Sequence, residues 1–306
     1  MQLSTNFCIH YIFFYKYDNI ITVGDQMKRI IKLIIKLLTL LIILTSLIYL
    51  YSKYINPVGF IVKERTLYNN KLPKNFDGLK VVQISDIHYK TTIKKDDLIK
   101  IINQINLTKP DIVFLTGDLL DKSVKYKPKD IETITEQLQK IDTTIDKYYI
   151  TGDNDYNNKD FETIMTNSNF VNLNDTYQVI HKDKETILIS GLSTNKNKNK
   201  DKLNSTIDYL NNNQLYSILV LHEPDTIKKI EYNKFNLILA GHSLGGQIKL
   251  PFIGGIIKKE GSKKYSNEHY NLKQTELFIS NGLGNETIEY RFLNKPSFNL
   301  FRLRHK

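Results

Sequence analysis

The spacing of apolar residues changes along this chain, and each change marks a different kind of element. From residue 37 to residue 52 no charged side chain occurs, and extending the run back to Ile30 adds only Lys32 and Lys36. Residues 30–54 are apolar on every face and long enough to cross a bilayer, with the two lysines reaching back to the headgroups. A core helix buried on all sides is the other reading of such a run, and the length argues for the membrane. Residues 57–75 read as a connector. Short β-like runs follow at 79–84, 111–115, 148–150, 186–190, 218–221 and 237–240, with further extended runs at 247–252, 277–280 and 298–303. Helical spacing falls between them at 95–105, 129–141, 161–165 and 202–210. Strands alternate with helices at first, and the last third is nearly all strand. That order predicts an α/β domain with sheets as its central layers and helices outside. No internal repeat and no second domain boundary is visible.

Charge fixes the expected orientation of the apolar run. Lys28, Arg29, Lys32 and Lys36 precede it and only Lys53 follows closely, which places the N-terminus in the cytoplasm and the chain beyond Asn56 outside. No small-residue cleavage site follows the run, so it reads as an uncleaved signal anchor in a single-pass membrane protein. Met27-Lys28-Arg29 has the look of a start, which leaves 1–26 as a doubtful extension with no assigned structure and 27–56 as basic flank and anchor. The single cysteine, Cys8, lies in that extension. The rest of the chain therefore has no disulfide, thiolate ligand or cysteine nucleophile. Net charge is +11, and beyond residue 56 the balance is 37 Lys/Arg against 30 Asp/Glu. Such an excess suits anionic lipid headgroups or envelope polymers. The lysines are scattered, Asn195-Lys196-Asn197-Lys198-Asn199-Lys200 reads as a low-complexity loop, and no Arg-rich stripe is interleaved with aromatics. Specific nucleic-acid binding is not expected.

The chemistry sits at strand ends. Five times an apolar run stops in Asp, His or Asn: Ser85-Asp86-Ile87-His88, Gly117-Asp118-Leu119-Leu120-Asp121, Gly152-Asp153-Asn154-Asp155, Leu221-His222-Glu223 and Gly241-His242-Ser243. Carboxylates and imidazoles gathered at one edge of a sheet suit a divalent ion such as Mn, Fe or Zn. Asp86 and His88 are two residues apart and point to one side of an extended segment, and Gly117 lets the backbone turn close to the site at Asp118. Each block alone is common; the ordered series is specific.

In that series the chain resembles the calcineurin-like metallophosphoesterases, whose blocks run Asp-x-His, Gly-Asp-x-x-Asp, Gly-Asn-His-Asp/Glu, a lone His and Gly-His-x-His. It looks most like their membrane-associated bacterial members, which continue with Gly-Gly-Gln, here Gly245-Gly246-Gln247. The resemblance runs from about Leu79 to Leu303 and takes in Ser280-Asn281-Gly282-Leu283-Gly284 and Arg291-Phe292-Leu293-Asn294-Lys295-Pro296. It implies a four-layer fold over 57–306, with a two-sheet β-sandwich core flanked by helices. It also implies two metals bridged by a carboxylate and a hydroxide that attacks a phosphomonoester or phosphodiester in line. By position Asp86, His88 and Asp118 hold the first metal; Asp118, Asp153, His222 and His242 hold the second. Asp118, Asn154 and Asp155 match the blocks that carry catalysis, and Asp121 orients a ligand. With the anchor and the basic charge, the implied substrate is a lipid or envelope phosphoester.

Two blocks depart from the family. Asn154 replaces the histidine expected to protonate the leaving group, which an amide cannot do near neutral pH. Leu244 replaces a histidine ligand of the first metal. A catalytically silent metal- or phosphate-binding relative is therefore the alternative reading. Gly241-His242-Ser243-Leu244-Gly245 also matches a serine nucleophile elbow after a strand, a remote third reading. That elbow requires a following helix and a downstream acid and histidine, whereas 247–252 alternates like a strand and no aspartate follows Ser243.

Overall fold

Alternation along β2 (Leu79–Ile84) divides its side chains between two cores. Val81 packs into a cluster with Phe114, Ile189, Val220 and Leu239, while Val82 and Ile84 pack on the other face with Leu98, Ile101 and Ile134. The same division in every central strand builds a sandwich of two sheets with helices outside. The computed structural model describes residues 4–194, 203–286 and 288–306, with side chains from residue 25 onward.

The first sheet runs β1 (Ile61–Asn69), β14 (Ser297–His305), β2, β3 (Ile112–Leu115), β4 (Asp146–Tyr149) and β5 (Val171–Asn172). Strands β2 to β5 are parallel, β14 is antiparallel to β2, and β1 is parallel to β14. Helices α2 (Lys95–Thr108), α3 (Pro128–Gln139) and α4 (Lys159–Asn167) supply Leu98, Ile134 and Phe161 to its outer core. The second sheet runs β12 (His269–Leu272), β13 (Thr275–Ile279), β9 (Leu237–Ala240), β8 (Tyr216–Leu221), β7 (Glu185–Leu192) and β6 (Thr176–Lys182). There β7, β8, β9 and β13 are parallel. α5 (Asn204–Asn213) covers the outer face with Ile207 and Leu210. This is the expected α/β sandwich flanked by helices.

Several boundaries move. The connector expected over 57–75 contains β1, which pairs with β14 over nine residues. Its edge position and its charges Lys63, Glu64 and Arg65 hide the strand pattern. The run 247–252 yields only β10 (Lys249–Leu250), because the chain turns at Pro251 and pairs back on β11 (Gly254–Gly255). The low-complexity loop 195–200 and the expected helix start at 202 lie outside the described residues.

Residues up to Tyr51 form a separate unit from Ser52–Lys306. In it α1 runs Ser4–Leu50 and so continues through residues to which the sequence assigned no structure. Asp25–Ile55 is long and apolar enough to cross a membrane, and its large apolar side chains, Ile30 to Leu47, are exposed.

Candidate metal centre

The C-terminal ends of five parallel strands, three from one sheet and two from the other, meet at one edge of the sandwich. β2 leads to Asp86 and His88, β3 to Asp118, β4 to Asp153, β8 to His222 and β9 to His242. The sheets are stitched there by Gln83, whose Nε2 donates to Ala240 O at 2.8 Å and to Thr116 Oγ1 at 3.2 Å. His242 N, from the second sheet, donates to both oxygens of Asp86 at 3.0 and 3.1 Å. The backbone is strained at this edge. Asp86, His88, Asp118 and His242 have φ of 51°, 44°, 56° and 65°, a left-handed region that costs ordinary residues energy and persists where function demands it. Two glycines make the approach possible: a Cβ on Gly152 would collide with the Asp118 carboxylate, and one on Gly241 with Ser85 Oγ.

The side chains fall into two groups sharing Asp118. Asp86, His88 and Asp118 place one ligand atom each within 4.8 Å of one another, as do Asp118, Asp153, His222 and His242. His222 and His242 are each fixed through one nitrogen so that the other faces the acids. His222 Nδ1 donates to Thr116 O at 2.7 Å, leaving Nε2 3.3 Å from Asp118 Oδ2 and 3.2 Å from Asp153 Oδ1. His242 Nε2 donates to Glu260 O at 2.6 Å, leaving Nδ1 3.0 Å from Asp153 Oδ1 and 3.2 Å from His222 Nε2. His88 Nδ1 lies 3.1 Å from Asp121 Oδ2 and its Nε2 3.7 Å from Asp118 Oδ2, both nitrogens being buried and neither making a hydrogen bond. Ring nitrogens anchored this way present lone pairs to lone pairs, an arrangement that needs a cation between them. The donor set of carboxylate oxygens and imidazole nitrogens fits divalent first-row metals.

Electrostatics say the same. Burial alone would lower His222 and His88, but neighbouring carboxylates outweigh it. Asp118 and Asp153 hold His222 well above its ordinary value, and Asp121, Asp118 and Asp86 raise His88. Asp153, which burial would raise, is held well below the carboxylate range by His222 and His242. Protons are drawn to the places a metal would take.

Asn154 and Asp155 serve Asp118. Asn154 N and Nδ2 donate to Asp118 Oδ1 and Oδ2 at 2.9 and 2.8 Å. Asp155 lies behind the ligand groups, where its carboxylate accepts N–H groups of Asp118 at 2.6 Å, Leu120 at 3.1 Å and Gly152 at 3.2 Å, tying the β3 and β4 loops together. Burial and the adjacent Asp118 charge push its carboxyl up to about 7, against the pull of those N–H groups. Asp121 accepts Ser123 N and Oγ on one oxygen and faces His88 with the other.

Leu244 is fully buried, with a Cδ2 that a Cβ on Gly282 would strike close to Asp86 Cβ, so an alkyl group fills space beside the first group. Ser243 Oγ accepts Gly245 N in a 3-10 turn, and among the described residues it bonds to no histidine or acid and no α-helix follows it, so the elbow's context is missing. Three participants carried no sequence signal. Glu286 Oε1 lies 3.5 Å from Asn154 Nδ2, Lys259 pairs with Glu286, and Glu260 fixes His242 through a backbone carbonyl. Arg291, fully buried, donates to the carbonyls of Asn281, Gly284 and Asn294 and to Asn285 Oδ1, and so holds the loop whose Gly284 N bonds Asp86 O at 2.7 Å. A cleft of about 1040 Å³ opens over Asp153, His222 and His242, with Lys122, Lys228 and Lys259 among its walls.

Residues 79–246 match the family described as calcineurin-like phosphoesterase. The chain is 34% identical over 260 residues to an uncharacterized metallophosphoesterase of Bacillus subtilis, YkuE, covering 84% of this chain and 90% of that protein. It is 34% identical over 92 residues to a transmembrane protein with metallophosphoesterase domain of Danio rerio, 30% of this chain and 20% of the relative. A solved dimetal phosphatase of Danio rerio aligns with a TM-score of 0.39 at 9% identity, over 71% of this chain and 94% of the other. The chain is thus a metallophosphoesterase, a hydrolase of the calcineurin-like phosphoesterase family.

Proposed function

We propose that the chain is a membrane-anchored bacterial-type phosphohydrolase that cleaves a phosphomonoester or phosphodiester of lipid or envelope origin at two divalent metals. In this reading Asp86, His88 and Asp118 hold one metal, and Asp118, Asp153, His222 and His242 hold the other. The metals, when bound, supply Lewis acidity and a deprotonated water at neutral pH. The chain's own residues do the positioning. Thr116 O and Glu260 O keep the protons of His222 and His242 on their outward nitrogens, and Asn154 and Asp155 fix the rotamer and backbone of Asp118. Lys122, Lys228 and Lys259 give the cleft the charge that draws a phosphate. The anchor is Asp25–Ile55, and the catalytic unit stands outside the cytoplasmic membrane by the charge flanking it.

The observation that carries this reading is the convergence of three buried imidazoles, two of them anchored by backbone carbonyls, on Asp118 and Asp153. One observation favours a silent relative, the alkyl group of Leu244 beside Asp86. The test is hydrolysis of bis-p-nitrophenyl phosphate by the detergent-solubilised full chain, with and without Mn²⁺, beside Asp118→Asn. Nitrophenolate leaves without a proton, so the absence of a histidine at 154 does not prejudice the result. Metal-dependent turnover that falls at least 10²-fold in the variant is expected. A folded, metal-loaded wild type without turnover would select the silent relative.

A further inference from the structure

The hairpin of β10 and β11 ends in Pro251-Phe252-Ile253, a tip that contributes nothing to any core. Phe252 is fully exposed, Ile253 is 73% exposed and Ile256 49%. Ile253 N donates to Leu250 O at 3.3 Å, closing a turn in which Phe252 adopts φ of 66°. A turn with proline followed by a left-handed residue is built for glycine or asparagine. A bulky aromatic there pays conformational energy and leaves its ring in water, so the folded globule gains nothing from it. The segment that follows, Ile256-Ile257-Lys258-Lys259-Glu260-Gly261-Ser262-Lys263-Lys264, holds four lysines and one acid. Lys258, Lys263 and Lys264 are exposed. An apolar tip followed in the chain by exposed lysines offers the two kinds of group that an anionic bilayer takes, acyl chains for the one and phosphates for the other.

The chain's path argues for a bilayer rather than a protein as the occupant. The globular unit begins at Ser52, inside the apolar run Asp25–Ile55. Ser52 O accepts Arg291 N at 3.0 Å, and the next residue, Phe292, pairs with Ile248 and accepts Lys249 N at 2.9 Å. The base of the hairpin therefore lies one residue along the backbone from the point where the apolar run enters the unit. Its tip is roughly 10–15 Å further, by the rise of an extended chain. Phe252 therefore lies within one short hairpin's length of the segment beside Ser52, inside the same unit. The returning arm of the same hairpin continues into the cleft, where Ile257 and Lys259 form wall beside His242.

We infer that the 249–258 hairpin docks on an anionic lipid bilayer, with Phe252 and Ile253 inserted among the acyl chains, and so turns the cleft toward phosphoesters at the lipid surface. The docking rests on the membrane role proposed for Asp25–Ile55 but not on catalysis. The chain contains no tryptophan, so Phe252→Trp places a single reporter at the tip, and Tyr68→Trp, on the exposed side of β1, places one elsewhere. The full chain carrying either is reconstituted in phosphatidylcholine vesicles with a minor fraction of phosphatidylglycerol and brominated acyl chains. Flotation confirms that both variants are in vesicles. The tip reporter is expected to be quenched several-fold more than the β1 reporter and to emit blue-shifted, with the quenching weakening several-fold in phosphatidylcholine alone. Equal quenching of the two reporters in floated vesicles would overturn the docking. A blue shift without bromine quenching would do so too, because a protein or a second copy would then cover the tip. Quenching indifferent to phosphatidylglycerol would overturn the anionic surface. Because the readout needs no turnover, a failure of the hydrolase reading leaves it intact.

Discussion

Asn154 donates to Asp118 from both its backbone N and its Nδ2, so the residue that replaces the expected histidine has become part of the mount for the shared carboxylate. The mount explains how the site keeps its geometry without that histidine, and it also predicts where turnover should suffer. An amide offers no proton to a poor leaving group, while a nitrophenolate needs none. Asn154→His is therefore expected to raise kcat toward an alkyl phosphoester by roughly 10²-fold or more and to leave p-nitrophenyl turnover within a few-fold, measured as the ratio of the two rates. A variant that gains nothing on the alkyl ester would contradict the role given to position 154. At this scale the candidate ligands were legible because each sits in a short strand-turn block whose residue types suit a metal. Their orientation was not. The groups that orient His222 and His242 are the backbone carbonyls of Thr116 and Glu260, and a carbonyl has no signature in sequence. Arg291 belongs to a block that carried the resemblance, but its burial was illegible for a related reason. Arginine reads as surface, yet here it is buried because five N–H donors can satisfy a loop of carbonyls.

Among the elements, the edge strand β1 is the one the sequence concealed, since its partner β14 lies more than 200 residues away and its charges obscure the alternation. Those charges are used. Glu268, just before β12, pairs with Lys63 of β1 at 2.7 Å, Arg65 at 3.2 Å and Lys249 of β10, and accepts Asn281 Nδ2 at 3.1 Å. One carboxylate thus joins the edge of the first sheet, the base of the β10–β11 hairpin and the loop after β13. Burial would raise Glu268, but Lys249 and Lys63 overcome it and bring the carboxyl down to about 2 from 4.5. A lowered folded-state value means the stabilisation is present above about pH 4.5 and is lost as pH falls toward 2. Glu268→Gln should lower stability by about 1 kcal/mol at neutral pH, with the difference from wild type shrinking across that acid range. Urea unfolding of both chains at pH 7 and pH 3 measures it, and a difference unchanged between the two pH values would contradict the network.

At the scale of the whole molecule, two sheets contribute to one site, and that is what the division into sandwich layers achieves. β2, β3 and β4 bring the acids from one sheet, and β8 and β9 bring the imidazoles of His222 and His242 from the other, so neither half contains a complete second group. The order of blocks along the chain foretold this convergence, because ligands at the ends of successive parallel strands meet at one edge. The family resemblance implied that Asp118 is shared, and in space it alone belongs to both groups. Low-temperature electron paramagnetic resonance of the Mn²⁺-loaded full chain tests that sharing directly. An exchange-coupled spectrum of two manganese ions per chain is expected in the wild type, replaced by a mononuclear spectrum in Asp118→Asn. A mononuclear spectrum from wild type at saturating Mn²⁺ would contradict the sharing.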